Sequence, residues 1–315
     1  MHDILPPGFI MRPAALEDAA ALTNLIAERD SMEYPPELDY QPDYTVEDIE
    51  AECHSLNLAT DTCAVFAPDG QLAGYLGVTT DFVDVQRAQP YVGIQSFSGV
   101  HPAFVGLGIG TELLRFAHTW AREQHRARSL RITTWINPRN ERARRLVAKE
   151  GYTSDQHGVV EMKVKLSQEP PPIEWPAGIR VRSFRPGQDD VLVKAAIEEA
   201  FGLPFTHWEQ VYTQRTNFDP TLWHLAWDGE QVAGVLIGVP NPDMGWIDQL
   251  GVRPAWRKRG IGQALLRHAI RDFYQRGLHT VALSVAINNQ HGAPRLYARA
   301  GMQVGSQIDR YSKPV

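Results

Sequence analysis

The stretch RPAWRKRGIGQALLRHA, from Arg253 to Ala269, runs through a glycine-rich turn into an amphipathic helical pattern. Three cationic residues, 257–259, precede Gly260 and Gly262 in this turn. A turn of this kind at the start of a helix leaves backbone N–H groups unpaired, and the helix dipole adds positive potential at the same point. The stretch therefore predicts an anion site that suits a pyrophosphate.

Two better-known glycine motifs do not fit this turn. A P-loop ends in Gly-Lys-Ser/Thr, whereas this turn ends in Gly-Ile-Gly-Gln. A dinucleotide fingerprint needs a third glycine at the position that Leu265 holds, and it needs a parallel βαβ sheet. The pattern that remains is Arg-x-x-Gly-x-Gly, formed by Arg257, Gly260 and Gly262.

The same pattern occurs earlier in the chain as HPAFVGLGIGTELLRFA at residues 101–117, so this stretch is the first copy and the one from Arg253 is the second. Each copy follows two strand-like runs joined at an Asp-Gly pair, Asp69-Gly70 or Asp228-Gly229, which is a hairpin signal. This order predicts an α/β (α+β) protein with two tandem domains, each a mixed, mostly antiparallel sheet flanked by helices. We place the domains at residues 1–166 and 178–315, joined by a Pro-rich linker at 167–177.

The composition argues against several classes of function. The net charge is −6, so nothing global favours nucleic acid or an anionic membrane as a partner. The start of the chain lacks a signal-peptide pattern and no apolar run is long enough to span a bilayer, so we expect a cytoplasmic protein. Cys53 and Cys63 are too few for a disulfide framework, and no His–Cys spacing predicts a metal site.

The second copy resembles a GCN5-related N-acetyltransferase (GNAT) domain. The turn within VRPAWRKRGIGQALL is similar to the family's acetyl-CoA motif, and NNQHGAPRLYARAGM is similar to its closing segment, with Met302 in the place of a Phe. The resemblance covers essentially the whole second half and implies acetyl-CoA as co-substrate and a small-molecule amine as acceptor. The residues that it assigns to the cofactor are Leu250, Gly251, Val252, Arg257, Lys258, Arg259, Gly260, Ile261, Gly262, Gln263 and Asn289.

The resemblance also suggests the proton-transfer groups. Tyr297 is the candidate general acid for the departing thiolate, because a phenol is protonated at neutral pH; the alternative is a packed core aromatic. Asp248 is the candidate base, with an ion-pairing surface residue as its alternative. Other possible bases are Glu209, Asp243, a water chain and, less favoured, His207 and His291. The second half contains no cysteine, so we expect direct attack by a primary amine on the thioester.

The first copy lacks these groups. Val105, Gly106 and Leu107 replace the three cations, Val147 replaces Tyr297, and Ser96 replaces Asp248. Asn140, Gly108 and Gly110 are retained, so we expect a non-catalytic domain that keeps the turn.

Two other functions stay open from the sequence: a non-catalytic acyl-CoA-binding or sensor protein, and a transferase that uses a different acyl-CoA. The acceptor also stays open between a small amine, an aminoglycoside, an amino-sugar thiol precursor and a protein N-terminus. The sequence does not indicate an oligomeric state.

Overall fold

The computed structural model describes residues 5–34, 44–84, 91–124, 129–154, 158–202, 204, 212–213, 218–241, 244–289 and 292–315. The chain forms two compact units. Unit 1 contains Met1–Gly158 and Ser306–Val315, and unit 2 contains Val159–Gly305.

The described helices and strands are as follows. The helices are α1 (Ala19–Glu33), α2 (Val46–His54), α3 (Leu58–Asp61), α4 (Ile109–Gln124), α5 (Glu141–Lys149), α6 (Asp190–Phe201), α7 (Ile261–Gln275) and α8 (Ala293–Arg299). The strands are β1 (Ile10–Arg12), β2 (Thr62–Phe66), β3 (Leu72–Asp84), β4 (Tyr91–Val100), β5 (Leu130–Ile136), β6 (Thr153–Ser154), β7 (Val159–Lys165), β8 (Ile179–Ser183), β9 (Trp223–Asp228), β10 (Gln231–Pro240), β11 (Gly245–Val252), β12 (Thr280–Ala286) and β13 (Gln303–Pro314).

Both units contain the same mixed sheet. The strand order in unit 1 is β1-β2-β3-β4-β5-β13, and β4–β5 is its parallel pair. The order in unit 2 is β8-β9-β10-β11-β12-β7, and β11–β12 is its parallel pair. The other described pairs are antiparallel. The predicted fold class, with two mostly antiparallel α/β domains, is confirmed.

The two sequence copies exchange their last strands, which the sequence-based boundaries do not foresee. Residues 159–165 pair antiparallel with 280–286 in unit 2, where Met162 is part of the core. Residues 309–314 pair with 131–136 in unit 1, where Tyr311 is part of the core. The compact units therefore differ from the ranges 1–166 and 178–315 by one strand each. An amphipathic strand shows which face it buries, but not which neighbouring strand it joins.

The start of each unit repeats one contact in detail. Arg12 and Asp18 form a bidentate ion pair, with N–O distances of 2.7 and 2.8 Å, and Arg182 and Asp189 do the same at 2.6 and 2.8 Å. In each pair the aspartate also accepts from a backbone N–H three or four residues earlier. These matching pairs place α1 and α6 at equivalent positions.

In unit 2, the sheet packs against α7 on one face and α6 on the other. Phe273 of α7 is fully buried, and a side chain at Gly245 would meet its ring. On the opposite face, a Cβ at Gly251 would lie 3.0 Å from that of Ala200 in α6. Leu265, Val193 and many strand residues complete one contiguous core.

Residues 167–177 form neither helix nor strand, and they follow the surface of α7. Arg271 donates to the carbonyl oxygen of Pro170 at 2.9 Å, and the rings of Trp175 and His268 are 5.6 Å apart. At the far end, Pro176 lies 3.7 Å from the Cβ position of Gly260. The segment is therefore a strap that reaches the start of α7.

Candidate active site

The glycine turn of unit 2 forms a cradle of backbone N–H groups. A short 3₁₀ helix, Pro254–Trp256, follows β11, and Gly260 caps α7 in the left-handed region with φ of 82°. Ala264 is the first α7 residue whose N–H bonds back to Gly260. Within the part of the chain that the structure describes, the N–H groups of residues 260–263 have no backbone acceptor. The first turn of a long helix therefore has backbone N–H groups that could bind an anion.

The strand before this turn has an open edge. β11 pairs with β12 only through Gly245–Ile247, although its pairing with β10 continues to Val252. The β10 register skips Asp248, so that residue forms a β-bulge at the point where β11 and β12 separate. Leu250, Gly251 and Val252 thus present one edge that no described strand covers. Extended groups such as a pantetheine amide can pair with an edge of this kind.

The three cations of the turn have different environments. The guanidinium of Arg257 donates to the carbonyl oxygens of Val252 (3.1 Å) and Ala200 (2.6 Å). Arg259 donates to Asp228 at 2.8 Å. Lys258 is exposed, makes no polar side-chain contact with the described residues, and has φ of 63°. A side chain in the left-handed region is strained, and such strain is concentrated at functional sites.

The first turn of α7 also holds an unpaired amide. The side-chain nitrogen and oxygen of Gln263 are both buried, and neither has a hydrogen-bond partner among the described residues. Buried amides in native proteins are normally satisfied. The unpaired amide and the open N–H groups fit a polar ligand that carries phosphate.

Tyr297 lies in α8 and belongs to the core of unit 2, with 7% of its surface exposed. Burial raises the pKa of its phenol to about 12, so the group is protonated throughout the neutral range. Its hydroxyl has no hydrogen-bond partner among the described residues. Both the packed-aromatic and the general-acid interpretations are compatible with this position.

Asp248 lies within β11, where its pairing with β12 stops, and Asn289 lies just after the end of β12. Asp248 is half-buried beside the buried Ile247, at the bulge of β11. Asn289 follows β12, and its side-chain oxygen accepts from the N–H of Ala293 at 3.2 Å, in the first turn of α8. This contact gives Asn289 a helix-capping role that the sequence analysis did not foresee. The other candidate bases Glu209, Asp243, His207 and His291 lie outside the described residues.

Unit 1 keeps the shape of the turn without its charges. Gly106 and Gly108 have φ of 92° and 84°, so Gly106 adopts the left-handed conformation that Lys258 adopts in unit 2. Val147 is buried in the core, and the hydroxyl of Ser96 donates to the carbonyl oxygen of Thr133 at 3.1 Å. The residues that replace the two candidate proton-transfer groups are thus structural.

One residue of the site was missed by the sequence analysis. Asp228 was interpreted only as half of a hairpin signal, yet its carboxylate accepts from Trp256 Nε1 at 2.9 Å and from Arg259 Nη1 at 2.8 Å. The nearest signal in the sequence is that Trp256 and Arg259 can donate, while their counterparts Phe104 and Leu107 cannot.

Comparison with known proteins agrees with this geometry. The model of the acetyltransferase (GNAT) family matches residues 192–302, and that of an acetyltransferase (GNAT) domain matches residues 9–153. A mycothiol acetyltransferase of Streptomyces bingchenggensis is 30% identical over 251 residues, which cover 74% of this chain and 75% of the relative. The chain belongs to the GNAT family of acetyltransferases.

Further comparisons define the tandem arrangement of this GNAT protein. A crystal structure of a GCN5-related N-acetyltransferase from Sphaerobacter thermophilus is 33% identical, with a TM-score of 0.85 and coverage of 98% and 96% of the two chains. A tandem GNAT protein from the clavulanic acid biosynthesis pathway shares the fold, with a TM-score of 0.70 and 16% identity over 97% and 98% of the chains. The alignment with a mycothiol acetyltransferase of Streptomyces scabiei is 32% identical but spans only 58% of that relative's length.

These findings confirm a tandem GNAT protein like mycothiol synthase and an acetyl-CoA-dependent N-acyltransferase. Among the described residues, no cluster of three or more His, Cys, Asp or Glu side chains could hold a metal ion. The described helices also include none that is long and apolar enough to cross a membrane.

Proposed function

We propose that unit 2 transfers an acetyl group from acetyl-CoA to a primary amine by direct attack, and that unit 1 does not catalyse. The observation that carries this proposal is that unit 2 combines the open N–H cradle, the uncovered edge of β11 and a buried, protonated Tyr297. Unit 1 has valine and serine at the positions of the two proton-transfer groups.

In this proposal the turn binds and orients the co-substrate. The N–H groups of residues 260–263 and the ammonium of Lys258 hold the pyrophosphate, and Leu250, Gly251 and Val252 pair with the pantetheine arm. Arg257 acts through the shape of the turn, because its guanidinium is bound to two carbonyl oxygens. Arg259 is held by Asp228, and Asn289 fixes the start of α8 beside the reacting end.

The chemistry requires three proton and charge adjustments. The amine loses a proton to Asp248, directly or through water, and its nitrogen attacks the thioester carbon. A backbone N–H near Leu250 stabilises the negative oxygen. The carbon–sulfur bond then breaks as Tyr297 donates its proton to the departing thiolate, and the extra proton on the attacking nitrogen returns to the phenolate, so that a neutral amide and the CoA thiol leave. The raised pKa of Tyr297 keeps the phenol protonated at neutral pH before the reaction, so the resting form of the group is the one that can donate.

The relatives make a mycothiol-related amine the first acceptor to assay, because several of them are named mycothiol acetyltransferase. An acceptor that itself carries a thiol would interfere with thiol-release detection. Acetylation should therefore be followed by the mass of the product, over a panel that includes aminoglycosides, simple amines and a peptide N-terminus.

The experiment that tests the proposal is turnover by the full chain and by Asp248→Asn. We expect one class of primary amine to be acetylated, and the variant to lose kcat/KM for the amine while its affinity for acetyl-CoA is unchanged. The absence of turnover with every amine, despite binding of acetyl-CoA, would contradict the proposed transfer. Full activity of Asp248→Asn would place the base elsewhere.

A further inference from the structure

Asp228, in the hairpin of unit 2, binds both ends of the segment 256–259, which leads into α7 and is called the cofactor turn below. It is the last residue of β9 and is followed by Gly229, so the carboxylate lies at the start of the short turn between β9 and β10. One of its oxygens, Oδ2, accepts from Trp256 Nε1 and from Arg259 Nη1. These two donors flank Lys258, whose backbone is in the strained left-handed region.

The contacts extend beyond this pair. The guanidinium of Arg253 lies 4.8 Å from the centre of the Trp256 ring and donates to Glu199 of α6 at 2.6 Å. The turn is therefore anchored from the hairpin on one side and from α6 on the other. Strained backbone persists only where the surroundings fix it, and charged hydrogen bonds are the stronger anchors.

The hairpin of unit 1 provides a natural comparison. Among the described residues, its aspartate, Asp69, accepts a single and local bond, from the N–H of Gln71 at 3.0 Å. The counterparts of Trp256 and Arg259 in unit 1, Phe104 and Leu107, carry no side-chain donor. The long-range contacts of Asp228 thus occur in the unit whose turn is cationic and strained.

We propose that Asp228 is a positioning residue that holds the 256–259 segment in its binding conformation for the phosphates of acetyl-CoA. This inference rests on the proposed function of unit 2. A competing effect has the opposite sign: removal of the carboxylate frees Arg259 and takes a negative charge away from an anion site.

The test compares Asp228→Ala, Asp228→Asn and the matched control Asp69→Ala in the full chain. For Asp228→Ala we expect the Kd and the KM for acetyl-CoA to rise roughly fivefold to tenfold, with kcat retained at saturation. Asp228→Asn keeps an acceptor oxygen and should fall between this variant and the wild type. Asp69→Ala should match the wild type.

Equal or tighter binding by Asp228→Ala would overturn the proposal. The amide hydrogen-exchange rates of residues 256–260, measured without acetyl-CoA, test the anchoring role independently of the proposed function. Faster exchange in Asp228→Ala supports the anchoring role even if the wild type binds no acetyl-CoA, which would contradict the proposed function alone. Unchanged exchange would refute the anchor.

An independent observation concerns the cleft of unit 1. Helix α1 ends 15 residues after Asp18, at Glu33, whereas α6 ends 12 residues after the equivalent Asp189, at Phe201, and is followed by Gly202 with φ of 70°. The additional residues extend α1 by almost one turn.

The C-terminal part of α1 contacts both sides of the gap between β4 and β5. On one side, Arg29 Nη1 donates to the carbonyl oxygen of Ser98 at 3.5 Å, beyond the last β4–β5 pair at Ser96. On the other side, Asn140 Nδ2 donates to Glu33 Oε1 at 2.5 Å, and Asn137 Nδ2 donates to the Glu33 carbonyl oxygen at 3.4 Å. Asn140 is the counterpart of Asn289, which the proposed function places beside the reacting end of acetyl-CoA, so Glu33 lies at the corresponding position of unit 1.

We infer that unit 1 takes up no acyl-CoA, because its own α1 fills the cleft. Burial raises the pKa of Glu33, and the amide of Asn140 satisfies one of its oxygens. The chain should therefore bind one acetyl-CoA, in unit 2.

Hydrogen exchange with and without acetyl-CoA tests this inference by position. We expect protection of residues 258–263 and none of 106–111. Protection of 106–111 in the wild type would overturn the inference, whereas missing protection of 258–263 would contradict only the proposed function of unit 2.

A variant pair tests the contact itself. Asn140→Asp keeps the oxygen that caps α5 at Ala143 but places a carboxylate against Glu33. We expect faster exchange of residues 28–34 in this variant and recovery in the double variant with Glu33→Gln. Unchanged exchange in Asn140→Asp would show that the contact does not hold α1 in the cleft.

Discussion

Arg257 donates a hydrogen bond from Nη2 to the carbonyl oxygen of Ala200 at 2.6 Å, in the last turn of α6. Its Nε donates at the same time to the carbonyl oxygen of Val252 at the end of β11. The last carbonyl groups of a helix have no partner within the helix, and a cation is favourable there. One side chain thus fastens α6, β11 and the cofactor turn to one another.

Replacement of Arg257 should loosen the turn without a direct effect on the chemistry. In Arg257→Ala we expect KM for acetyl-CoA to rise about fivefold or more, with kcat nearly retained, and a lower melting temperature. Arg257→Lys distinguishes the two possible roles, because an ammonium lacks the planar fork that reaches two carbonyl oxygens. Recovery of KM by lysine would favour direct contact with phosphate instead.

Lys258 should favour the binding of acetyl-CoA but lower the stability of the fold relative to a glycine at the same position. Its left-handed backbone costs roughly 1 kcal/mol relative to glycine, so Lys258→Gly should be as stable as the wild type or more stable. The same change removes a cation, so KM for acetyl-CoA should rise at low salt, with a smaller difference at high salt. Melting curves and KM at two ionic strengths measure both effects.

The matched control is Gly106→Lys in unit 1, where φ is 92°. This variant should lower the melting temperature and leave the kinetics of acetyl transfer unchanged. A melting temperature for Lys258→Gly well below the wild type would contradict the strain argument.

His268 should make the fold sensitive to acid. His268 lies on α7, and its burial against β9 and the strap lowers its pKa to about 4. His224 and Arg271 add to this shift, and Asp272 opposes it. The unfolded chain binds the proton more readily, at its ordinary pKa of 6.5. Stability is therefore complete above pH 6.5 and is lost as the pH falls from 6.5 towards 4.

Melting temperatures between pH 7 and 4.5 test this sign. His268→Gln should flatten part of the decline. His118 in unit 1 also has a pKa lowered to about 4 by burial, so His118→Gln should flatten another part. A steeper decline in His268→Gln would contradict the assignment.

The repeat pattern was sufficient to predict the fold class and the location of the turn. The Asp-Gly hairpins, the β–turn–α segment around Gly260 and the division into two similar halves all follow from local chemistry. The exchange of β7 and β13 does not, because the choice of a strand's neighbour depends on the tertiary packing of both copies.

The backbone features of the candidate site could be predicted from the sequence. The hydrogen-bond partners of its side chains could be predicted less well. The N–H cradle follows from the two glycines. Three side-chain hydrogen bonds join residues that are 31 to 107 positions apart in the sequence. They run from Arg257 to Ala200, from Arg259 to Asp228 and from Asn140 to Glu33. Contacts over such separations depend on the folded geometry rather than on a local pattern.

The kcat of Tyr297→Phe tests the central claim most directly. The hydroxyl is the only group removed, and it has no partner among the described residues, so the fold and the KM for acetyl-CoA should be preserved. We predict that kcat falls by roughly 10²–10⁴. A wild-type kcat in a folded Tyr297→Phe enzyme would contradict the assignment of Tyr297 as the acid that protonates the departing thiolate.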